Sequence, residues 1–244
     1  MSNRLRLIAS LAQNGIGVAD IGTDHAYLPI MLRKMGYKGN IIAGDINEGP
    51  IEKAARSLAE AGLSDSVELV LCDGLSGFDG SKTDTIVVAG MGGDTIVGIL
   101  DRGLYDMPEW ASRSDYKLIL QPATKPEVVR FWLVNNGFAI TKELQTEENG
   151  MLYQIICANP GDSPKYKDAE LYTGREDQIR DSEYFFKLLD TYIGRFKAAS
   201  CSLENTDKPS LKAWNMMLIN MIAELEEMID NSDMDEEQEF EAEM

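Results

Sequence analysis

Residues 1–160 alternate short apolar runs with amphipathic stretches of helical period. Strands that alternate with helices are typical of a parallel sheet with helices on both faces. The sequence therefore predicts an α/β fold with five parallel strands, at residues 18–21, 41–45, 67–72, 85–89 and 118–120.

Two further strand-like runs, 138–144 and 153–158, are separated only by a short segment that contains Asn149 and Gly150. A parallel connection needs a crossover of about a dozen residues or more. We therefore expect these two strands to form an antiparallel hairpin at the end of the sheet.

The pattern changes beyond a break rich in proline and glycine at 159–164. Apolar residues then recur at alternating spacings of three and four along 185–203 and again along 211–228. These spacings predict two helices of similar length, zipped into an antiparallel coiled-coil hairpin. The last segment, 231–244, is acidic and lacks Lys and Arg, which is typical of a disordered tail. The predicted domains are residues 1–162, 163–230 and 231–244.

Composition excludes several classes of protein. Cys72, Cys157 and Cys201 lie far apart and form no C-x-x-C motif, so neither a disulfide framework nor a zinc cluster is expected. No apolar run is long enough to cross a membrane, and no secretory signal is visible. We expect a cytoplasmic protein without a metal, a membrane span or an obligatory protein partner.

Candidate binding residues stand where the first four strands end, at the edge where open α/β sheets bind their ligands. The predicted ligand-binding set is Asp20, Gly22, Asp45, Ile46, Asp73, Gly74, Gly90 and Met91.

The first of these loops lacks the G-x-G-x-x-G fingerprint of dinucleotide-binding proteins, because Asp24 and Tyr27 replace its second and third glycines. A carboxylate at position 24 would repel a pyrophosphate. A D-x-G turn instead suits S-adenosylmethionine, whose sulfonium is cationic. Asp45 could then bond the ribose hydroxyls and Asp73 the adenine amino group. The alternative is that these acids belong to ordinary polar turns.

The sequence resembles the bacterial tRNA (adenine-N1)-methyltransferases of the TrmK type, which modify adenosine 22 of tRNA. The resemblance rests on ADIGTDHAYLP (19–29), AGDINEGP (43–50), DGL (73–75), AGMGG (89–93), LILQP (118–122) and the run 130–138. It implies a class I methyltransferase fold with a Rossmann-like sheet, S-adenosylmethionine as cofactor, tRNA as partner and catalysis by Asp24. Two positions depart from the family, since Thr23 replaces its usual Ser and Ala123 a frequent Asn.

A catalytic role for Asp24 agrees with the chemistry. The N1 nitrogen of adenine has a free lone pair, and its methylation leaves a positive charge on the ring. A carboxylate can accept a hydrogen bond from the exocyclic amine and stabilise that charge as it develops. The alternative is that Asp24 caps a helix that begins near Ala26.

Other residues near the predicted cleft are candidates for binding the RNA substrate. His25 could instead be structural, Tyr27 could simply pack, and Gln121 could bond only the neighbouring loop. The predicted substrate-binding set is Arg4, Arg6, His25, Tyr27, Gly92 and Gln121.

Two other functions stay open at this point. The chain could methylate another RNA site or a small molecule, or it could be a non-catalytic S-adenosylmethionine-binding module. An appended helical hairpin favours a large substrate, and an acid beside the donor loop favours an enzyme.

Overall fold

The computed structural model describes residues 2–106 and 114–242. The chain forms two compact units, Met1–Pro164 and Lys165–Met244. The boundary lies within the proline- and glycine-rich break, two residues after the predicted one at 162.

The first unit is built on a seven-stranded sheet, and all seven predicted strands are present. The sheet order is β3-β2-β1-β4-β5-β7-β6, and β1 to β5 pair in parallel. The predicted parallel sheet is confirmed. The strands are β1 (Gly17–Ile21), β2 (Asn40–Asp45), β3 (Glu68–Leu71), β4 (Thr85–Gly92), β5 (Lys117–Thr124), β6 (Phe138–Glu148) and β7 (Met151–Pro160).

The last two strands form the predicted antiparallel hairpin, and β7 also pairs antiparallel with β5. Only Asn149 and Gly150 connect the two strands, with φ of 52° and 77°. A two-residue hairpin turn with both φ angles positive matches the twist of the flanking strands, and the Asn-Gly pair tolerates it. The turn sequence thus sets the register of the hairpin.

Helices cover the sheet of the first unit. Every residue of β1 is buried, as expected for a central parallel strand packed on both faces. Pro126 occupies the first turn of its helix, where its missing N–H costs no hydrogen bond. The helices are α1 (Asn3–Ala12), α2 (Tyr27–Lys34), α3 (Glu48–Glu60), α4 (Gly93–Asp106) and α5 (Pro126–Asn135).

Strands β4 and β5 continue further than predicted. The glycine run after Ala89 does not form a free loop: Met91 pairs with Pro122 and Gly92 with Thr124 across shifts in register. A φ of 79° at Gly90 permits the bulge that keeps the two strands paired.

The second unit is helical. Its helices are α6 (Glu170–Thr173), α7 (Glu176–Ile179), α8 (Phe185–Cys201) and α9 (Pro209–Ala242). Most of the apolar residues of the predicted seam are buried, whereas Trp214 is 37% exposed. The buried ones are Phe185, Leu189, Tyr192 and Phe196 on α8 and Leu218, Met221, Leu225 and Met228 on α9. The helical hairpin is therefore present, and its coiled-coil geometry stays a prediction.

Helix α9 differs from the sequence prediction in length. It has 34 residues against 17 in α8, because it runs through the acidic segment to Ala242. The helix includes residues 231–242, and residues 243–244 lie outside the described ones. The predicted disorder of 231–244 stays a prediction. Extending an existing helix needs no new nucleus, and Glu is a good helix former.

A buried ion pair holds the hairpin strands to α5. Arg130 Nε donates to Glu143 Oε1 at 2.7 Å, and its Nη2 donates to Gln154 Oε1 at 2.6 Å. The side chains of Arg130 and Glu143 are both fully buried. Since a buried charge without its counterion is costly, the pair fixes α5 against β6 and β7.

We expect Glu143→Ala to lower the free energy of unfolding by about 3–5 kcal/mol, because it leaves the buried Arg130 charge uncompensated. Chemical denaturation would measure the change. Lys142→Ala is the matched control at the exposed neighbouring position and should change stability by less than about 0.5 kcal/mol. Equal effects of the two substitutions would contradict the role of the ion pair.

Candidate active site at the carboxyl edge of the sheet

A cavity of about 210 Å³ opens where β1, β2 and β4 end. It contains six of the eight predicted ligand-binding residues, but neither Asp20 nor Gly90 lines it. A larger cavity, of about 690 Å³, lies near the amino ends of β2 and β3. Open α/β sheets bind ligands at the carboxyl edge, so we take the smaller cavity as the candidate site. Its lining is Ile21, Gly22, Gly44, Asp45, Ile46, Cys72, Asp73, Gly74, Met91, Thr95, Ile99 and Arg102.

The first loop turns at Gly22. The amides of Gly22 and Thr23 both donate to the carbonyl of Gly44, at 2.8 and 3.0 Å. Gly22 has a φ of 79°, and a Cβ there would collide with the Met91 methyl group. The positive φ favours glycine at this turn, and a Cβ would also displace the end of the Met91 side chain from its place in the cavity wall.

Asp45 presents a carboxylate at the end of β2. Its Oδ1 accepts from the amide of Asn47 at 2.8 Å and from Asn47 Nδ2 at 3.2 Å. Within the described residues, its Oδ2 has no hydrogen-bond donor. An oriented carboxylate with one open oxygen can accept from a ribose hydroxyl, and Ile46 beside it is 61% exposed and offers an apolar surface to a purine ring.

Arg102 is a residue that the sequence analysis missed. Its Nη2 lies 3.3 Å from Asp73 Oδ1, and both side chains are more than half exposed. Thr95, Ile99 and Arg102 follow one another at spacings of four and three along α4, so one face of that helix lines the cavity. The sequence contains this spacing, but only the folded structure shows that α4 lies next to the residues that follow β3.

Asp20 is buried in the strand below the cavity. It is 7% exposed, and burial raises the pKa of its carboxyl to about 6, although a hydrogen bond with Thr23 opposes the shift. The residue does not line the cavity. A charge held there acts on a ligand through the low-dielectric interior.

Asp24 lies in the same loop, two residues after Gly22. Its Oδ1 accepts from Lys53 Nζ at 3.0 Å, and its Oδ2 lies 3.5 Å from His25 Nε2. The side chain is 59% exposed. Helix α2 has Ala26 at its N-cap, with a φ of 51° and no side-chain cap, so Asp24 does not cap this helix.

His25 and Tyr27 stack on each other beside Asp24. Their ring centroids are 5.1 Å apart with an interplanar angle of 13°. Tyr27 is 59% exposed, which leaves much of its surface available to a partner. The pair therefore offers an aromatic surface beside Asp24.

Gln121 is fully buried, and both ends of its side-chain amide form hydrogen bonds. Its Oε1 accepts from Arg4 Nη1 and, at 3.1 Å, from the amide of Gly90, while its Nε2 donates to the carbonyl of Pro122 at 2.8 Å. The guanidinium of Arg4 also lies over the Tyr153 ring, 4.9 Å from its centroid. This geometry favours bonding to the neighbouring loop over reading a base edge.

The two remaining candidates occupy different places. Gly92 lies within paired β4, and Arg6 is exposed on α1. No group of three or more His, Cys, Asp or Glu side chains that could hold a metal ion occurs in the described residues. Among those same residues no helix is long and apolar enough to cross a membrane.

A family model described as a methyltransferase domain matches residues 1–156, and the chain belongs to that family. Over 162 residues it is 35% identical to the tRNA (adenine(22)-N(1))-methyltransferase of Bacillus subtilis (strain 168). That alignment covers 66% of this chain and 66% of the relative. The chain is thus similar over about two thirds of the relative's length.

Two solved structures are similar over nearly the whole chain. One is TrmK, the m1A22 tRNA methyltransferase of B. subtilis, at 29% identity and a TM-score of 0.80, covering 94% of this chain and 98% of that one. The other is Sp1610 of Streptococcus pneumoniae in complex with S-adenosyl-L-methionine, at 29% identity and a TM-score of 0.75, covering 93% and 99%. The predicted resemblance to the TrmK type is confirmed.

The raised pKa of Asp20 predicts a pH-dependent stability. The unfolded chain ionises this group near pH 3.8 and the folded chain near pH 6, so the folded state holds the extra proton between these values. The contribution of Asp20 to the free energy of unfolding therefore falls as pH rises from about 4 to about 6, and it is level above that window.

Asp20→Asn removes this titration. The stability of the variant relative to wild type should rise by about 3 kcal/mol between pH 4 and pH 7, because a shift of one pKa unit corresponds to about 1.4 kcal/mol. Chemical denaturation of both proteins across this pH range gives the difference directly. A difference that does not change with pH would mean that Asp20 ionises normally in the fold.

Proposed function

We propose that this protein transfers a methyl group from S-adenosylmethionine to the N1 nitrogen of adenosine 22 in tRNA. The observation that carries the proposal is the position of Asp24. It is a half-exposed carboxylate with no capping role, two residues from the donor cavity and beside an exposed aromatic pair. The named activity of the similar B. subtilis enzyme supports the same assignment.

The cavity residues suit the methyl donor. Asp45 would hold the ribose hydroxyls through its open oxygen, with Ile46 and Met91 against the purine. Gly22 and Gly74, both with positive φ, let the backbone approach the ligand closely. When bound, S-adenosylmethionine supplies a methyl group on a cationic sulfonium. The buried Asp20 carboxylate, ionised at neutral pH, favours that positive charge.

Asp24 would act on the adenine. Its carboxylate accepts a hydrogen bond from the exocyclic amine, which holds the base in position and stabilises the positive charge that forms on the ring. No general base is needed, because N1 has no proton to lose. Lys53 donates to Asp24 Oδ1, so the exocyclic amine would either share this carboxylate with the ammonium group or displace it.

Gln121 and Arg4 would position the site rather than touch substrate. The Gln121 carbonyl oxygen holds the Gly90 amide and receives Arg4, which ties α1 to the bulge in β4. A fixed bulge keeps Met91 in the cavity wall. We assign these residues to preorganisation of the donor site.

The activity is tested by incubating the protein with radiolabelled S-adenosylmethionine and unmodified tRNA transcripts, followed by digestion to nucleosides. We expect labelled 1-methyladenosine from transcripts with adenosine at position 22 and none from matched transcripts with guanosine there. Label in another nucleoside, or none in any RNA, would refute the proposal.

Asp24→Asn keeps the shape of the side chain and removes its charge. We expect donor affinity near wild type and a loss of about 100-fold to 1000-fold in single-turnover methylation. Asp45→Ala is the comparison variant and should weaken donor binding directly. Calorimetry and single-turnover assays of both variants measure these effects, and an active Asn variant would assign Asp24 to structure.

The two compact units predict that donor binding and part of the tRNA binding can be separated. A fragment of residues 1–164 contains the whole donor cavity and should bind S-adenosylmethionine like the full chain. It should bind tRNA more weakly if the helical unit contributes to the grip on RNA. Calorimetry with the donor and filter binding with tRNA test this, and unchanged tRNA affinity would exclude a clamp role for the second unit.

A further inference from the structure

A second groove lies next to the loop that carries Asp24, between α2 and α3. It has a volume of about 620 Å³, and we call it the α2–α3 groove. His25 and Tyr27 line the end nearest Asp24, and Lys34, Lys53, Arg56 and Glu60 contribute the charged side chains. The loop thus has the donor cavity at one end and this groove at the other.

The groove contains cations that have no counterion. Lys34 and Arg56 are exposed, and neither forms an ion pair within the part of the chain that the structure describes. Some other cations of this unit form ion pairs, for example Lys82 with Glu68 and Lys125 with Asp94. Arg33, the neighbour of Lys34, donates to the carbonyls of Tyr37, Gly39 and Ser66.

Exposed cations without an ion pair also occur elsewhere in the described part of this unit, for example Lys38 and Lys142. The groove differs from those places because it brings two such cations together. Neither is in ion-pair contact with an acid of the described residues, although Glu60 also lines the groove. Two such groups in one groove, with an exposed aromatic ring at its end, match the chemistry that binds RNA. Lys and Arg contact the phosphates, and aromatic side chains stack on unpaired bases.

Resting on the proposed function, we propose that the α2–α3 groove binds the phosphodiester backbone of the tRNA beside the adenosine that is methylated. Lys34 and Arg56 contact phosphates along the groove, and Tyr27 stacks on a base at the end of the groove nearest Asp24. The groove is open to solvent, and its lining residue Lys53 contacts Asp24.

Lys53 connects the groove to the catalytic carboxylate. It lines the groove and also forms the 3.0 Å ion pair with Asp24. A phosphate in the groove competes with Asp24 for this ammonium group. Binding of the RNA backbone therefore favours release of the carboxylate at the moment when the adenine needs it.

The test uses full-length protein with the double substitution Lys34→Ala/Arg56→Ala and a tRNA transcript with adenosine at position 22. At about 0.1 M KCl we expect KM for tRNA to rise about tenfold or more, because two phosphate contacts are lost. The kcat should stay within about twofold of wild type, and the affinity for S-adenosylmethionine should not change.

Salt dependence gives a second, independent readout. Filter binding over a range of KCl concentrations yields the slope of log affinity against log salt. For the double variant this slope should be shallower by about 0.7 to 0.9 for each lost contact. Lys142→Ala removes an exposed cation on β6, outside the groove, and should leave both KM and slope at wild-type values.

Glu60→Gln tests the groove in the opposite direction. It removes the one carboxylate that lines the groove, so tRNA binding should tighten by about two- to threefold. This variant keeps the proposal testable even if the double variant is unstable.

The outcomes separate the two proposals. A wild-type enzyme that forms 1-methyladenosine, together with groove variants that keep wild-type KM and salt slope, overturns the groove assignment and leaves the proposed function intact. If wild type methylates no tRNA, the proposed function fails, and the groove assignment that rests on it fails too. Equal losses of tRNA affinity for Lys142→Ala and the double variant would also overturn the groove assignment, since they would indicate a general effect of net charge rather than binding in this groove.

Discussion

Two backbone hydrogen bonds fix the geometry of the candidate site. The amides of Gly22 and Thr23 both donate to the Gly44 carbonyl, which ties the loop after β1 to the end of β2. Asp45 follows Gly44 directly, and Asp24 follows Thr23. The backbone positions of the two acids, one proposed to bind the donor and one proposed to be catalytic, are therefore set relative to each other by main-chain bonds that do not depend on side-chain rotamers.

The sequence predicted the parts of the fold that local patterns encode. Alternating strand and helix signals were enough for the parallel sheet, and the Asn149-Gly150 turn was enough for the terminal hairpin. The continuation of β4 through Gly90 was not predictable, because glycine is a poor strand former and only pairing with β5 keeps it extended. The helical path of residues 231–242 also departs from what their charge indicates.

The candidate site divides in the same way. Residues in loop motifs, such as Asp24 and Asp45, were accessible from sequence because their position at a strand end implies their place in the fold. Lys53 and Arg102 were not, because they lie on helix faces and reach the site only through tertiary packing. Gln121 differs from both groups. A glutamine beside the cleft could read a base edge, but the buried side chain instead accepts a hydrogen bond from the Gly90 amide.

Net charge is a poor guide to whether this chain binds a polyanion. At physiological salt the screening length is about 8 Å, so a phosphate responds mainly to the charges nearest to it. In the α2–α3 groove these are two unpaired cations and Lys53, against the single lining carboxylate Glu60. An acidic protein can therefore hold RNA at one locally basic groove, while its excess of acids elsewhere disfavours adsorption of RNA to the rest of its surface.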